Sequence, residues 1–416
     1  MTLNNLLVAN IEYFDVLLPL GLIILLSKIL VMLCKKLGLP SVVGMLLAGV
    51  IVGLINYIPK QTILTDTTLE GIGFIAKIGV VLIMFSAGLG TDVKQIKAVG
   101  IPAVIITMAG VILPLGLGFV VATLTNGGFA ALNKTTALTN IFYGTVLTAT
   151  SVSITVATLK ELGALNSKVG NTIVSAAILD DIIGIIVLSF VVSMGGGSGA
   201  SPLIVLLKTV LFFVAIFAFG FIISKFFKWL DEKYPHHRRI PILSLGFCFL
   251  VAYASEKIFG VADITGAYAF GLILANNPES NYIDRKADII SYMFFSPVFF
   301  ANVGLTTKFS TMSPDIILFG VLFILAGIAG KFIGCSLTAK ACKYSTIDSV
   351  RIGLGMMARA EVALVCAQKG FDLGIIDPAI TPFILILIIA TSFATPIFLK
   401  LSYKKEKQPL PQPTDK

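Results

Sequence analysis

The sequence predicts an all-α polytopic membrane protein of about 13 transmembrane helices, and three observations predict it. Of its 416 residues, 56% are hydrophobic and 13% charged, with a mean hydropathy of +0.97; soluble domains run about 45–50% and about 25%. Thirteen stretches approach the roughly 20 apolar residues that a helix needs to cross a bilayer. Lys and Arg collect in alternate loops between them. Barrel strands would be about 10 residues of strict alternation, and these runs are longer and uniformly apolar. The composition excludes a water-soluble enzyme, and the net charge of +9 has no basic domain in which to grip nucleic acid. The excess sits in loops, where it reports orientation.

In chain order the spans are 14–34, 41–58, 71–89, 100–124, 138–160, 167–194, 202–228, 240–257, 260–276, 287–306, 314–339, 348–369 and 378–402. The first follows a segment with no basic n-region or cleavage site, so it reads as a retained helix and not a signal peptide. The fifth carries a run of hydroxyls and the sixth a pair of carboxylates. Between the sixth and seventh lies a flexible Gly/Ser linker, 195–201, which roughly halves the chain. The eleventh is glycine-rich around Lys331, and the twelfth holds Arg359 and Glu361. The expected organisation is one membrane domain, 1–402, and a short basic tail, 403–416, with no nucleotide-binding regulatory domain.

One set of loops, with the C-terminal tail, holds 21 Lys and Arg; the opposite set holds Lys60, Lys134, Lys257, Lys308 and Lys369. By the positive-inside rule the N-terminus is outside and the C-terminus cytoplasmic in a cell membrane, which needs an odd number of spans. The cysteines Cys34, Cys248, Cys335, Cys342 and Cys366 form no CxxC pair or metal-ligand grouping and read as small buried fillers. His236 and His237 lie in the basic loop 225–239, a solvated cytoplasmic face.

An ionisable group at the bilayer centre costs roughly 2.5–3.5 kcal/mol on insertion scales. The groups within the spans are Lys28, Lys77, Lys208, Asp180, Asp181, Lys331, Arg359 and Glu361. Lys28 is near the cytoplasmic end, and Lys77 and Lys208 are about two turns from the outer end, so all three are expected to snorkel. Asp180 and Asp181 are too short to do so from the middle of the sixth span. Neighbours on a helix point about 100° apart, so one carboxylate can face a partner while the other faces a cavity. Lys331 is the best partner, in Gly327-Ile-Ala-Gly-Lys331, where small residues admit another backbone. Arg359 has Glu361 nearby in its own span.

Two carboxylates and one ammonium carry a net charge of −1 and exchange protons as a unit. A carboxylate oxygen that binds H⁺ also suits a hard cation such as Na⁺ or Li⁺. Competition at a site exposed alternately to the two sides gives cation/proton exchange. The fifth span adds oxygen from Thr148, Thr150, Ser151, Ser153 and Thr155. These hydroxyls either bond back to their own helix carbonyls or line a locally unwound helix that presents oxygens to an ion. The segment Gly353-Leu-Gly-Met-Met-Ala-Arg-Ala-Glu361 is a second candidate break. Spans five and twelve are seven apart and therefore antiparallel, as an inverted repeat requires.

These features resemble the monovalent cation:proton antiporter family, in the branch with the NapA sodium/proton antiporters and the Kef potassium efflux systems. The resemblance covers nearly the whole chain. It rests on Thr148-Ala-Thr-Ser-Val-Ser-Ile-Thr155, Asp180-Asp181 and Lys331, supported by Leu39-Pro-Ser-Val-Val-Gly-Met-Leu-Leu-Ala-Gly-Val-Ile-Val-Gly53, Phe85-Ser-Ala-Gly-Leu89, Gly266-Ala-Tyr-Ala-Phe-Gly271, Phe299-Phe-Ala-Asn-Val-Gly304 and Arg359-Ala-Glu361. It implies an inverted-repeat fold with two crossed broken helices, in a homodimer whose core moves like an elevator against a dimerisation part. It further implies that Asp181 carries the ion and proton, that Asp180 pairs with Lys331, and that Thr150 and Ser151 flank the Na⁺. Exchange would be electrogenic and need no cofactor, with the bilayer as surroundings and Na⁺ (or Li⁺) and H⁺ as transported ions. Gly90 departs from the pattern where many relatives have Glu, and Ala360 where they have Gly.

Other readings are K⁺/H⁺ exchange, since cavity size and ligand number decide the ion, and sodium-coupled symport of an organic anion, which needs a larger pocket with anion donors. An intramembrane aspartyl protease needs two Asp facing each other across a water, which adjacent residues on one helix cannot do. A passive channel needs no titratable pair buried with a Lys.

Overall fold

The computed structural model describes residues 13–36, 41–91, 100–165, 167–195, 202–233, 239–305, 313–359 and 361–404. The first four spans form α1 (Tyr13–Lys36), α2 (Ser41–Gly53), α3 (Asp66–Leu89) and α4 (Ile101–Thr125). The fifth is two half-helices, α5 (Lys134–Val146) and α6 (Val152–Glu161). Then come α7 (Lys168–Gly195), α8 (Pro202–Lys233), α9 (Arg239–Ala254) and α10 (Asp263–Leu274). The tenth runs as α11 (Ser280–Ile290), a π-helical turn (Ser291–Phe295) and α12 (Ser296–Leu305). After α13 (Pro314–Ala341), the twelfth is again two halves, α14 (Thr346–Met356) and α15 (Glu361–Asp372), and α16 (Thr381–Lys404) closes the series. Nine helices among the described residues are long and apolar enough to cross a membrane, and Ser41–Tyr57 and Asp263–Leu274 are shorter apolar helices. Most of the linker 195–201, residues 234–238 with His236 and His237, and the tail beyond Lys404 lie outside the described residues, and 225–233 of the expected loop 225–239 is helical, as the end of α8.

Polar capping shifts some predicted boundaries. The third helix starts at Asp66, ahead of the predicted 71, because Thr65 accepts a hydrogen bond from Thr68 N and Asp66 suits the positive helix start. Asp66 and Glu70 make that first turn polar, so hydropathy alone overlooks it. Asn133 starts α5 with a capping box, accepting from the Thr136 amide while the Thr136 hydroxyl accepts from Asn133 N.

The helices sort into two bundles. In one, α1 packs on α2, α2 on α12, α3 on α10 and α12, and α9 on α10; in the other, α4 packs on α5, α7 and α13, and α13 on α14 and α16. The long α8 touches both α7 and α10 and joins the bundles. Replacing each span by the one seven further on reproduces this packing. First on second becomes eighth on ninth, second on tenth becomes third on ninth, and fourth on fifth becomes eleventh on twelfth. Seven is odd, so the repeat is inverted.

Glycines close the two matching seams of the first bundle, as small residues do where apolar helices meet in lipid. On α3 and α10, Gly88 and Gly271 face each other, and a Cβ on Gly271 would press on Phe85 O and lie 2.9 Å from Leu89 N. On α2 and α12, Gly49 and Gly304 do the same, with a Cβ on Gly304 only 2.8 Å from Val50 N. Gly271→Ala is therefore expected to destabilise by about 1–3 kcal/mol, the usual range for overpacking, and to lower Tm in detergent. Gly246→Ala is the control, since a Cβ there meets nothing within 4 Å; equal Tm values for the two variants would refute the seam.

Candidate functional site

The two broken helices run antiparallel, with α5 beside α15 and α6 beside α14. At the end of α5 the turn tightens: Leu147 N donates to Gly144 O and Thr148 N to Thr145 O, each at 3.0 Å. The chain then leaves the helix through 147–151 before α6 begins. The other break starts after Met356. Unwinding strands backbone groups that must find partners in an apolar interior, and the two breaks supply them to one another. Ser151 N donates to Ala358 O at 2.8 Å, and the Thr155 hydroxyl donates to Gly355 O at 2.7 Å.

Arg359 completes the crossing. Its guanidinium donates to Ala149 O in the first break and, at 2.8 Å, to Gly327 O on α13. Its amide donates to Thr391 Oγ1 at 3.2 Å, and Ser392 Oγ donates to Arg359 O at 3.3 Å. The described contacts of Arg359 come from three other elements: the first break, α13 and α16. The unwound backbone places Arg359 beside the carbonyls left bare by the break. The side chains of Glu361 and Ser153 lie outside the described residues. Two half-helix starts and two half-helix ends meet here, bringing about +0.5 and −0.5 of helix-dipole charge each. The guanidinium adds a full positive charge beside the exposed carbonyls.

Behind the crossing, α7 and α13 bring the buried charges together. Lys331 Nζ lies 2.5 Å from Asp180 Oδ1, with side chains 0% and 1% exposed. Small residues on α4 and α13 make room. Gly330 packs against the Pro114 backbone, and a Cβ on Gly110 would lie 3.6 Å from Lys331 Nζ. One position further along α7, Asp181 points about 100° away and is only partly buried. A turn later, Gly184 passes the first break, where its Cβ position is 3.7 Å from Thr148 Oγ1.

The hydroxyls of the fifth span divide between the two alternatives. Thr148 Oγ1 donates to Thr145 O at 2.8 Å, bonding back to its own helix, whereas Thr155 crosses to the other broken helix. Thr150 and Ser151 are buried in the unwound segment. Thr150 Oγ1 and Asp180 Oδ2 make no hydrogen bond among the described residues. Thr391 and Ser392 escaped notice because uncharged hydroxyls in an apolar span look like ordinary helix residues.

The remaining charges differ. Lys28 is exposed, with Nζ 6.0 Å over the Tyr292 ring, and Lys208 is exposed. Lys77 is exposed as well; it lines a cleft and lies 3.9 Å from Asp372. Cys34, Cys248, Cys335 and Cys366 are buried free thiols; Cys342, beyond the end of α13, is half-buried, against the expectation that all five are buried. Among the described residues no group of three or more His, Cys, Asp or Glu is placed to hold a metal ion.

The chain matches the family model described as sodium/hydrogen exchanger, transmembrane, over residues 21–403. It is 32% identical over 393 residues to the Na(+)/H(+)-K(+) antiporter GerN of Bacillus cereus, covering 94% of this chain and 97% of GerN. It is also 32% identical over 376 residues to a Na(+)/H(+) antiporter of Enterococcus hirae, covering 89% and 94%. The solved structure of the sodium proton antiporter MjNhaP1 from Methanocaldococcus jannaschii at pH 8 superposes with a TM-score of 0.72 at 19% identity, covering 94% and 97%, a likeness of fold.

Lys331→Ala would leave Asp180 buried beside no counter-charge, a change that costs about 3–5 kcal/mol in buried pairs. A large drop in Tm is expected, with partial recovery in the double variant Asp180→Asn, Lys331→Ala. A single variant as stable as the parent would show that the pair is not under this constraint.

Proposed function

Because the chain belongs to the sodium/hydrogen exchanger family, we propose that it exchanges Na⁺ (or Li⁺) for H⁺ across a cell membrane by alternating access. The observation that carries the reading is the meeting of two broken helices beside a buried Asp180–Lys331 pair and a partly buried Asp181. Asp181 is the carrier in this reading. Its carboxylate takes either a proton or a cation, and Thr150 and Ser151 add oxygens from the unwound segment. Lys331 holds Asp180 in place and makes exchange electrogenic, with more protons than sodium ions per cycle. Arg359 keeps both breaks open at the crossing, a positioning role assigned from its bonds to Ala149 O and Gly327 O.

The bundle of α4–α7 and α13–α16 would be the moving core, and that of α1–α3 and α9–α12 the dimerisation part of a homodimer. Both belong to one transport domain, 1–402, with 403–416 as its tail. The N-terminus is placed outside and the C-terminus in the cytoplasm, on the loop charges. GerN is described with K⁺ as well as Na⁺ and H⁺, so K⁺ is the second ion to test.

In everted vesicles carrying a pH gradient, Na⁺ and Li⁺ are each expected to dissipate it; no response to Na⁺, Li⁺ or K⁺ would refute the proposal. Asp181→Ala is expected to abolish exchange at near-normal protein levels, and undiminished exchange would remove Asp181 from the carrier role. A protease site placed after Lys416 should be cleaved in everted vesicles and protected in intact cells; the reverse would overturn the orientation.

A further inference from the structure

Ion pairs span the gap between the two bundles. Lys369, in the last turn of α15, places Nζ 2.9 Å from Asp263 Oδ1, at the start of α10, and 3.3 Å from Glu256 Oε2, in the π-helical turn after α9. Beside it, Lys77 on α3 lies 3.9 Å from Asp372 at the end of α15. In each case α15 belongs to one bundle and the partner helix to the other. Two adjoining clefts of about 720 and 240 Å³ share Lys77, Gln368 and Asp372 in their walls. The pairs therefore line clefts between the bundles.

The environment sets their strength. The Lys369 side chain is 14% exposed, Asp263 29% and Glu256 49%. Such pairs are partly screened by water, and each is weaker than the buried Asp180–Lys331 pair. A contact that must break in every transport cycle has to be weak, because a strong one would hold the equilibrium almost wholly in one state. Two carboxylates share one ammonium, so Lys369 can leave one while keeping the other. The half-helix α15 runs from the break beside Arg359 to Lys369, so a contact at its far end acts on the site through a short rigid rod.

We propose that Lys369 is a positioning residue that latches the half-helix α15 to Asp263 and Glu256 of the facing bundle, and so sets the balance between the two states of the exchanger. The proposal rests on the alternating-access reading above. A latch that favours one state must alter apparent affinity oppositely at the two faces, because each face is served by a different state. A residue with a merely structural role changes both faces alike, or only the amount of active protein.

Lys369→Gln is to be compared with the parent for Na⁺-driven proton movement in everted and in right-side-out vesicles. Apparent KM for Na⁺ is expected to fall about three- to fivefold at one face, the scale of partly exposed ion pairs, and to rise at the other. The swap Lys369→Asp with Asp263→Lys should restore both values toward the parent, and it decides the matter where Lys369→Gln fails to reach the membrane. Shifts in the same direction at both faces, no shift, or a swap unlike the parent would overturn the latch. A distance measurement separates this from the transport reading. Spin labels at positions 257 and 373 of purified, otherwise cysteine-free protein should give a longer and broader distribution in Lys369→Gln than in the parent. Should the parent exchange no cation, the transport reading fails, and the spin-label distances decide the contact: unchanged distances refute it.

Discussion

A carboxylate and an ammonium 2.5 Å apart and almost sealed from solvent constrain the arrangement around them. Either charge alone would be very costly at that depth, so α7 and α13 must present them together. The demand extends to uncharged neighbours. Gly330 and Gly110 are small because α4 and α13 must approach closely enough to seat Lys331. Asp181, on the next position of the same helix, is thereby turned toward a less enclosed side. One residue of helical rotation separates a fixed charge from an available one.

The crossing solves a second problem, that of broken hydrogen bonds. Two interrupted helices in an apolar medium would each leave backbone groups bare. Here one break donates through Ser151 N and receives through Ala149 O, so neither could be unwound alone at the same cost. Arg359 is the third party. Its bonds to Ala149 and Gly327 carbonyls join the two breaks to α13, the helix that carries Lys331.

Much of this was legible in the sequence, because membrane burial makes charge and hydroxyl placement expensive and therefore visible. The predicted spans coincide with helices or half-helix pairs, and both breaks fall where polar or glycine-rich runs interrupt apolar sequence. What stayed hidden depended on contacts between distant segments. Arg359 could not be matched to Ala149, 210 residues away, since a carbonyl acceptor carries no sequence signature. Thr391 and Ser392 were silent for the same reason. The polar first turn of α3 was lost to a hydropathy criterion that penalises Asp66 and Glu70. The link from Lys369 to Asp263 was invisible because each residue, taken alone, is an ordinary loop-end charge.

The exchange of spans by seven has a consequence for energetics. If two inverted halves carried identical sequences, interchanging their conformations would turn one facing of the molecule into the other at no difference in free energy. The two facings would be degenerate by symmetry, however strong the internal contacts. Any preference must then come from places where the halves differ. The Asp pair lies in the sixth span and Lys331 in the eleventh, whereas their positional counterparts would be the thirteenth and the fourth; those spans hold no such charges. Chemistry that breaks the repeat is thus also what tilts the molecule. Residues that preserve it, such as the matched glycine seams of α3 with α10 and α2 with α12, can stiffen both facings equally without choosing between them.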